Sequence, residues 1–257
     1  MPHSAAKGER RMGLLSDLKI LYHLTLKPVR GKDHAARLDS FYSGQAEAYD
    51  DFRKRLLQGR TELWQRLPVP SGGVWVDMGG GTGSNLENFG EAIGEPRKIY
   101  VVDLAASLLE VCRRRVEHHG WHNVEAVGAE ATKFEPSAGQ ADVVTFSYSL
   151  TMIPDWFAAI ENARRILKPG GLIGVVDFYV ARKYPQEGRR RHGWFTRNFW
   201  PVWFGNDNVF PSPDHLPLLE RWFEPVEVEE QRAKVPYIPL IRTPYYVFVG
   251  RKPADGE

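Results

Sequence analysis

The chain has 257 residues, 42% of them apolar and 26% charged, and a formal net charge of +2. Those totals fit a globular protein with a buried core, one large domain with elaborations, and the near balance of charge gives no global attraction for nucleic acid. The single cysteine, Cys112, excludes an intramolecular disulfide and offers no cluster for structural zinc, so no metal is expected, a packed thiol is the simplest role, and a reducing cytoplasm fits.

The first stretch, "MPHSAAKGERRMGLLSDLKILYHLTLKP", is not read as a signal peptide, because Asp17 and Lys19 interrupt its apolar part and no small-residue cleavage pattern follows. No apolar run approaches the ~18 residues of a membrane span, so a soluble or peripheral protein is expected. Leu14, Leu15, Leu18, Leu21 and Tyr22 recur at helical spacing, and Gly13 to Leu26 reads as a short amphipathic helix. It either caps the core or lies in a membrane interface. Residues 1–40 are taken as this helix and a linker, and 41–257 as the main domain.

"DSFYSGQAEAYDDFRKRLLQGRTELWQRL" reads as a helix or helix pair entered near Ser43, with Phe52, Leu56, Leu63 and Trp64 apolar, and "PVPSGG" ends it. Short apolar runs then alternate with helical ones: "VWVDM", "SNLENFGEAI", "KIYVVDL", "ASLLEVCRRRVEHHG", "VEAVGAEA", "ADVVTFSYS", "DWFAAIENARRILKPGG" and "LIGVVDFYV". That rhythm predicts an open α/β sheet of mostly parallel strands. After Val180 it breaks into an aromatic and basic stretch without clean periodicity, read as an insertion over the active face at about 181–217. "PVEVEEQRAKVPYIP" and "YYVFVGRK" then read as a closing hairpin at the sheet edge.

"VWVDMGGGTGSN" sets four glycines behind a strand. Such a turn before a helix lets backbone N–H groups approach a ligand. The dinucleotide spacing G-x-G-x-x-G would place Ser84 at its third position, whereas Gly79, Gly81 and Gly83 fit G-x-G-x-G. An acidic residue about 20 residues further on, at the tip of the second strand, serves to accept hydrogen bonds from ribose hydroxyls, and Asp103 in "IYVVDLAAS" stands there.

The glycine spacing, Asp103, Glu130-Ala131 after the third strand, "LKPGG" before the fifth and "PYYVFVGRK" as the last strand together resemble the class I, Rossmann-like methyltransferases over roughly Phe41 to Lys252. That resemblance implies a seven-stranded, mostly parallel sheet with one antiparallel strand, N-terminal helices, and S-adenosylmethionine as cofactor with S-adenosylhomocysteine as product. It implies cofactor contacts from Asp77, Gly79, Gly81, Gly83, Asp103, Leu104, Glu130, Ala131 and Ser147, with Tyr49 and Arg60 closing over the methionine end.

Within the class, "FYSGQAEAYDDFRKRLLQGR", "TFSYSLTMIPDW", "GVVDFYV" and "NDNVFPSPDHLP" resemble the N-methyltransferase of betaine-lipid synthesis. Quinone C-methyltransferases share the pattern around Tyr49 and Arg60. The closer resemblance implies three methyl transfers to the amine of diacylglyceryl-homoserine, giving diacylglyceryl-trimethylhomoserine at the inner face of the membrane. It also implies an upstream aminocarboxypropyl transferase. Another amine, a quinone, or a non-catalytic module that binds cofactor and lipid are the competing readings.

A sulfonium methyl needs an aligned nucleophile and dryness more than a covalent intermediate, but an amine must first lose its proton. Tyr148, Asp177 and His215 are the candidate acceptors. Tyr42, Tyr148, Tyr179 and Tyr237 could wall the methylated cation, and Arg182 and Lys183 could meet the homoserine carboxylate. "RRRHGWFTRNFWPVWF" mixes arginines and aromatics in the manner of a lipid headgroup interface, or forms a packed lid. The same mixture suits single-stranded nucleic acid, but nothing else in the chain follows that lead.

Overall fold

A computed structural model describes residues 56–205, 208–235 and 238–254 of the protein. Strand β1, Val74–Met78, is buried at all five positions, as expected of an apolar run covered on both faces. Its neighbours are β2 (Lys98–Asp103), β3 (Val124–Gly128), β4 (Ala141–Ser147) and β5 (Leu167–Phe178), all parallel to it, followed by β6 (Glu224–Val235) and β7 (Ile238–Arg251). The seven form one sheet of order β3-β2-β1-β4-β5-β7-β6. β7 runs antiparallel to both β5 and β6, so the closing hairpin sits at one edge with β6 outermost. Glu227, Glu229 and Glu230 along β6 keep that edge charged, which discourages pairing with another chain.

Helices cover both faces. On one lie α1 (Arg60–Arg66), α2 (Ala106–His119) and α4 (Trp194–Gly205), whose Leu63, Trp64, Cys112, Trp200 and Phe204 share a core with Trp75, Val101, Val143 and Val176. On the other lie α3 (Trp156–Ile166) and α5 (His215–Trp222), packed through Ile160, Ile166, Leu216 and Leu219 onto Val76, Val144, Phe146 and Val175. Alternate strand residues thus serve opposite cores, which follows from the two-residue period of a strand. Asp155 starts α3 by accepting the Ala158 N–H at 3.1 Å, and Gly120, in the left-handed conformation, ends α2.

Three local expectations change. "SNLENFGEAI" forms a 3-10 helix, Ser84–Gly94, broken at Gly90 (φ 55°, ψ −132°), so it is not a continuous α-helix. The stretch after Val180 contains α4 and the start of α5. Aromatic residues on nearly every side of α4 conceal the helical period there. "LKPGG" is folded into β5 as an irregularity: Leu167 pairs with Ala141 and Leu172 with Val143, while the Gly170 N–H bonds Lys252 O at 2.9 Å.

The expected N-terminal amphipathic helix, with Tyr42 and Tyr49, lies outside the described residues, as does Tyr237. No helix among the described residues is long and apolar enough to cross a membrane.

Candidate active site

The strand order reverses at β1, with β2 and β3 to one side and β4 and β5 to the other. Open α/β sheets hold ligands beyond the carboxyl ends of the strands beside such a reversal. The glycine turn leaves β1 at that point. Gly79, Gly81 and Gly83 all have positive φ, at 70°, 57° and 70°. At Gly79 any side chain would collide with Ser149, and at Gly83 a Cβ would stand 2.7 Å from the Cys112 sulfur. Cys112 is therefore packing beneath the turn; burial pushes its thiol up to about 12. Asp103 ends β2 beside the turn, where its carboxylate accepts the N–H groups of Gly81 and Ala105, each at 2.9 Å. Leu104, next in the chain, is half-buried. Ser147, the last residue of β4, is buried, and its hydroxyl has no hydrogen-bond partner among the described residues.

A polar chain runs under this turn on the α1 side of the sheet. Asp77 is buried, and its carboxylate accepts the Thr145 hydroxyl at 2.8 Å and the Asn85 amide at 3.0 Å. Burial raises its pKa to about 6, and the two hydrogen bonds and Arg60 pull against that rise. Trp75 donates its indole N–H to Thr145 Oγ1 at 3.1 Å. Because Asn85 gives its amide N–H to Asp77, its carbonyl oxygen points outward and accepts Arg60 Nε at 2.9 Å, and Arg60 Nη2 also reaches Ser84 Oγ at 2.9 Å. Arg60 is thereby fixed at the start of the 3-10 helix. It lines a cavity of about 530 Å³ with Gln58, Ser84, Glu87, Asn88 and Tyr245.

Tyr148 follows β4 with φ 54°, a conformation that bulky residues rarely adopt and that marks stored strain. It is buried, its hydroxyl donates to Gln58 O at 2.5 Å, and its ring meets Phe178 edge-on at 4.6 Å. Burial, then the nearby Asp177, holds its hydroxyl well above the usual tyrosine range.

Asp177 and His215 turn to the α3 and α5 side. The Asp177 carboxylate, fully buried, accepts the Thr151 N–H at 3.1 Å, the Thr151 hydroxyl at 2.8 Å and the Phe178 N–H at 2.8 Å. Burial raises its pKa from 3.8 to about 7 despite these bonds. A raised carboxylate pKa means that the folded state holds its proton longer than the unfolded chain does. Stability from this group is therefore greatest in acid and falls as pH rises from about 4 to about 7. Asp177→Asn should remove that slope: the variant gains on the parent in denaturant melts over this window, and the difference levels off above it. Parallel pH profiles would contradict the assignment.

His215 begins α5 fully buried, edge-on to Trp156 at 4.6 Å, and burial lowers its pKa to about 3. Neither ring nitrogen has a partner among the described residues.

The remaining expected residues are scattered. Tyr179, expected to wall the acceptor, is buried on the α5 side, where it donates to Glu230 at 2.7 Å and packs on His192 and Tyr246. Arg182 pairs with Asp214 at 2.7 Å, and exposed Lys183 lies over the Tyr184 ring. Glu130 is exposed after β3, where Lys133 at 2.7 Å holds its carboxyl below the usual range. The carbonyl of neighbouring Ala131 accepts the Asn162 amide at 2.8 Å. The turn, Asp77, Asp103, Arg60, Ser147 and Tyr148 come together; the carboxylate of Asp177, the ring of His215 and Tyr179 belong to the other face.

Sequence reasoning missed Thr145, Asn85, Gly59 and Tyr245. A Cβ at Gly59, where φ is 85°, would stand 2.5 Å from the Tyr245 ring. A glycine directly before an amphipathic run was the available signal. Nothing in the order of residues announced the 68-residue separation between Asp77 and Thr145.

A model of the ubiE/COQ5 methyltransferase family matches residues 32–198. The chain belongs to that family. Among similar proteins are the ubiquinone/menaquinone biosynthesis C-methyltransferases UbiE of Hahella chejuensis, 28% identical over 162 residues, and of Pseudoalteromonas translucida, 30% identical over 164. Each match covers 61% of this chain, and the chain spans 65% and 64%, just under two thirds, of these curated relatives.

Solved structures share the fold. A phosphoethanolamine N-methyltransferase 2 of Haemonchus contortus, in complex with phosphomonomethylethanolamine and S-adenosylhomocysteine, has a TM-score of 0.65 at 16% identity, covering 87% of this chain and 61% of that one. The N-methyltransferase NodS of Bradyrhizobium japonicum with S-adenosylhomocysteine has a TM-score of 0.53 at 13% identity, covering 80% and 98%.

The cofactor of the ubiE/COQ5 methyltransferase family is S-adenosylmethionine, and this chain has the groups to suit it. A glycine-rich turn approaches the reversal point, an acidic acceptor stands at the end of β2, and a buried hydroxyl with no hydrogen-bond partner among the described residues ends β4.

Proposed function

We propose that this chain transfers methyl groups from S-adenosylmethionine to the amine of diacylglyceryl-homoserine, giving the betaine lipid diacylglyceryl-trimethylhomoserine, at a membrane surface. The observation that carries this reading is a series of aromatic rings at the carboxyl ends of β4 and β5. Tyr148 meets Phe178 at 4.6 Å, Phe178 stacks on Phe204 at 4.9 Å, and Phe204 on Trp200 at 5.3 Å. Aromatic faces attract the cation that successive methylation creates, by about 0.5–2 kcal/mol per contact. The resemblance to betaine-lipid enzymes also includes "NDNVFPSPDHLP", which lies beyond residue 198, where the family match ends.

Asp103 would hold the ribose hydroxyls, the turn from Gly79 to Gly83 would give close backbone approach, and Arg60 would meet the methionine carboxylate. Once bound, S-adenosylmethionine supplies a methyl group already activated by its sulfonium. What the chain must add is alignment of a neutral amine and a dry site. The three candidate proton acceptors are each committed otherwise: Tyr148 donates to Gln58, the oxygens of Asp177 are filled by three donors, and His215 has little proton affinity near neutrality. In this reading the amine gives one proton to solvent before each of the three transfers, and Tyr148 positions the segment leading into α1. Tyr148→Phe should accordingly cost about 1 kcal/mol of stability for the lost hydrogen bond and leave kcat within about tenfold of the parent. Loss of a general base would slow kcat by about 10²–10⁴, and a fall of that size would overturn this role.

The curated relatives are named as C-methyltransferases of ubiquinone and menaquinone biosynthesis, which favours a quinone ring carbon as the second reading. Offering both acceptors with isotopically labelled methyl donor decides between them. Label in the lipid amine supports the proposal; label in the quinol alone replaces it.

A further inference from the structure

We propose that the outward face of α4 docks on an anionic lipid bilayer. The inward face of this helix is buried through Trp200 and Phe204 against Phe178, so α4 sits directly on the aromatic layer of the site. Its opposite face is also apolar. Trp194, Phe195 and Val202 are 74%, 64% and 76% exposed, and Trp203 is 36% exposed beside them. Positions 194, 195 and 202 fall within about a third of a turn when projected down a helix of 3.6 residues per turn, so these side chains form one patch. Phe199 joins them to Trp203, with ring centroids 5.0 Å from Phe195 and 5.3 Å from Trp203. A chain that exposes an aromatic patch of this kind is marking an interaction surface.

Charge identifies the partner. Between Arg182 and Gly205 there are six basic residues and one acidic, Glu187. Arg182 and Arg189 are paired with Asp214 and Glu220, whereas Arg190 and Arg191, directly before α4, are exposed. Tryptophan and phenylalanine beside arginine suit the boundary between headgroups and acyl chains, where the aromatics enter and the cations meet anionic headgroups. A second copy of this chain is a poorer occupant, because a two-fold contact through the patch would bring the same arginines together.

This inference deepens the proposed function and rests on it for the location of the acceptor, but its test needs no acceptor. The full chain is sedimented with vesicles of phosphatidylcholine, with and without phosphatidylglycerol, and compared with the double variants Trp194→Ser/Phe195→Ser and Arg190→Glu/Arg191→Glu. Binding of S-adenosylhomocysteine, unchanged in both variants, certifies the fold. The parent should bind the phosphatidylglycerol vesicles with a blue shift of tryptophan fluorescence and release them as salt rises. Both variants should bind more than about tenfold more weakly. Equal binding of parent and variants, no preference for phosphatidylglycerol, or a parent dimer in light scattering that Trp194→Ser/Phe195→Ser separates, would overturn the proposal. Failure here leaves the choice between amine and quinone untouched, since that is read from the labelled product.

Discussion

Asp103→Ala should weaken binding of S-adenosylmethionine by about 100-fold in calorimetry, the equivalent of about 3 kcal/mol. A carboxylate accepting hydrogen bonds from ribose hydroxyls makes charge-assisted bonds worth about 1.5–3 kcal/mol each. In the structure this carboxylate also accepts the Gly81 and Ala105 N–H groups, so the variant loosens the turn as well as removing the ribose acceptor. Asp103 is only half-buried, so water can serve the freed N–H groups and the melting temperature should fall by a few degrees at most. Asp103→Asn, which keeps one acceptor oxygen, should fall between the two. Unchanged affinity in the alanine variant would remove the nucleoside from the end of β2.

Asp77→Ala should act in the opposite way, on stability more than on any single ligand contact. It strands the Asn85 amide and leaves the Thr145 hydroxyl only the Val76 carbonyl at 3.5 Å in a buried site, at about 1–3 kcal/mol for each poorly satisfied group, so a loss of about 2–5 kcal/mol is expected in denaturant melts. Asn85 would then be free to rotate, and Arg60 would lose the oxygen that fixes it. Because burial raises the Asp77 pKa to about 6, the parent's own advantage declines as pH rises from about 4 to about 6, so the destabilisation should be larger at pH 4.5 than at pH 7. A variant as stable as the parent at both pH values would mean that the chain from Trp75 to Arg60 does not hold the turn.

These two residues also show where the sequence was legible. Asp103 could be placed because a glycine turn and an acid at a fixed distance along the chain are local features of one β-turn-α-β unit, and local spacing survives in the order of residues. The alternation of strands and helices was legible for the same reason, because β1 to β5 are short, largely apolar runs separated by helical ones, whereas the order of the strands across the sheet was not. The Asp77–Thr145–Trp75 arrangement depended on which strand became the neighbour of β1 and on the register placing Asp77 opposite Thr145, and neither is local. The same difficulty affected Asp177, His215 and Tyr179. Each stands near the carboxyl end of a strand or the start of a helix, as the sequence suggested, but the two-residue period and the course of the chain after Val180 turned them to the other face. α4 was hidden by its own composition, since a helix apolar on both faces has no contrast for periodicity to reveal.

The most direct test of the account is the product itself. Purified protein is incubated with S-adenosylmethionine and diacylglyceryl-homoserine in mixed micelles, and the lipid is fragmented in a mass spectrometer to locate each added methyl. The account predicts products heavier by one, two and three methyl groups, all retained on the homoserine headgroup fragment. An unmodified lipid in the presence of measured S-adenosylmethionine binding would contradict the lipid amine as acceptor and leave a family methyltransferase directed at another substrate.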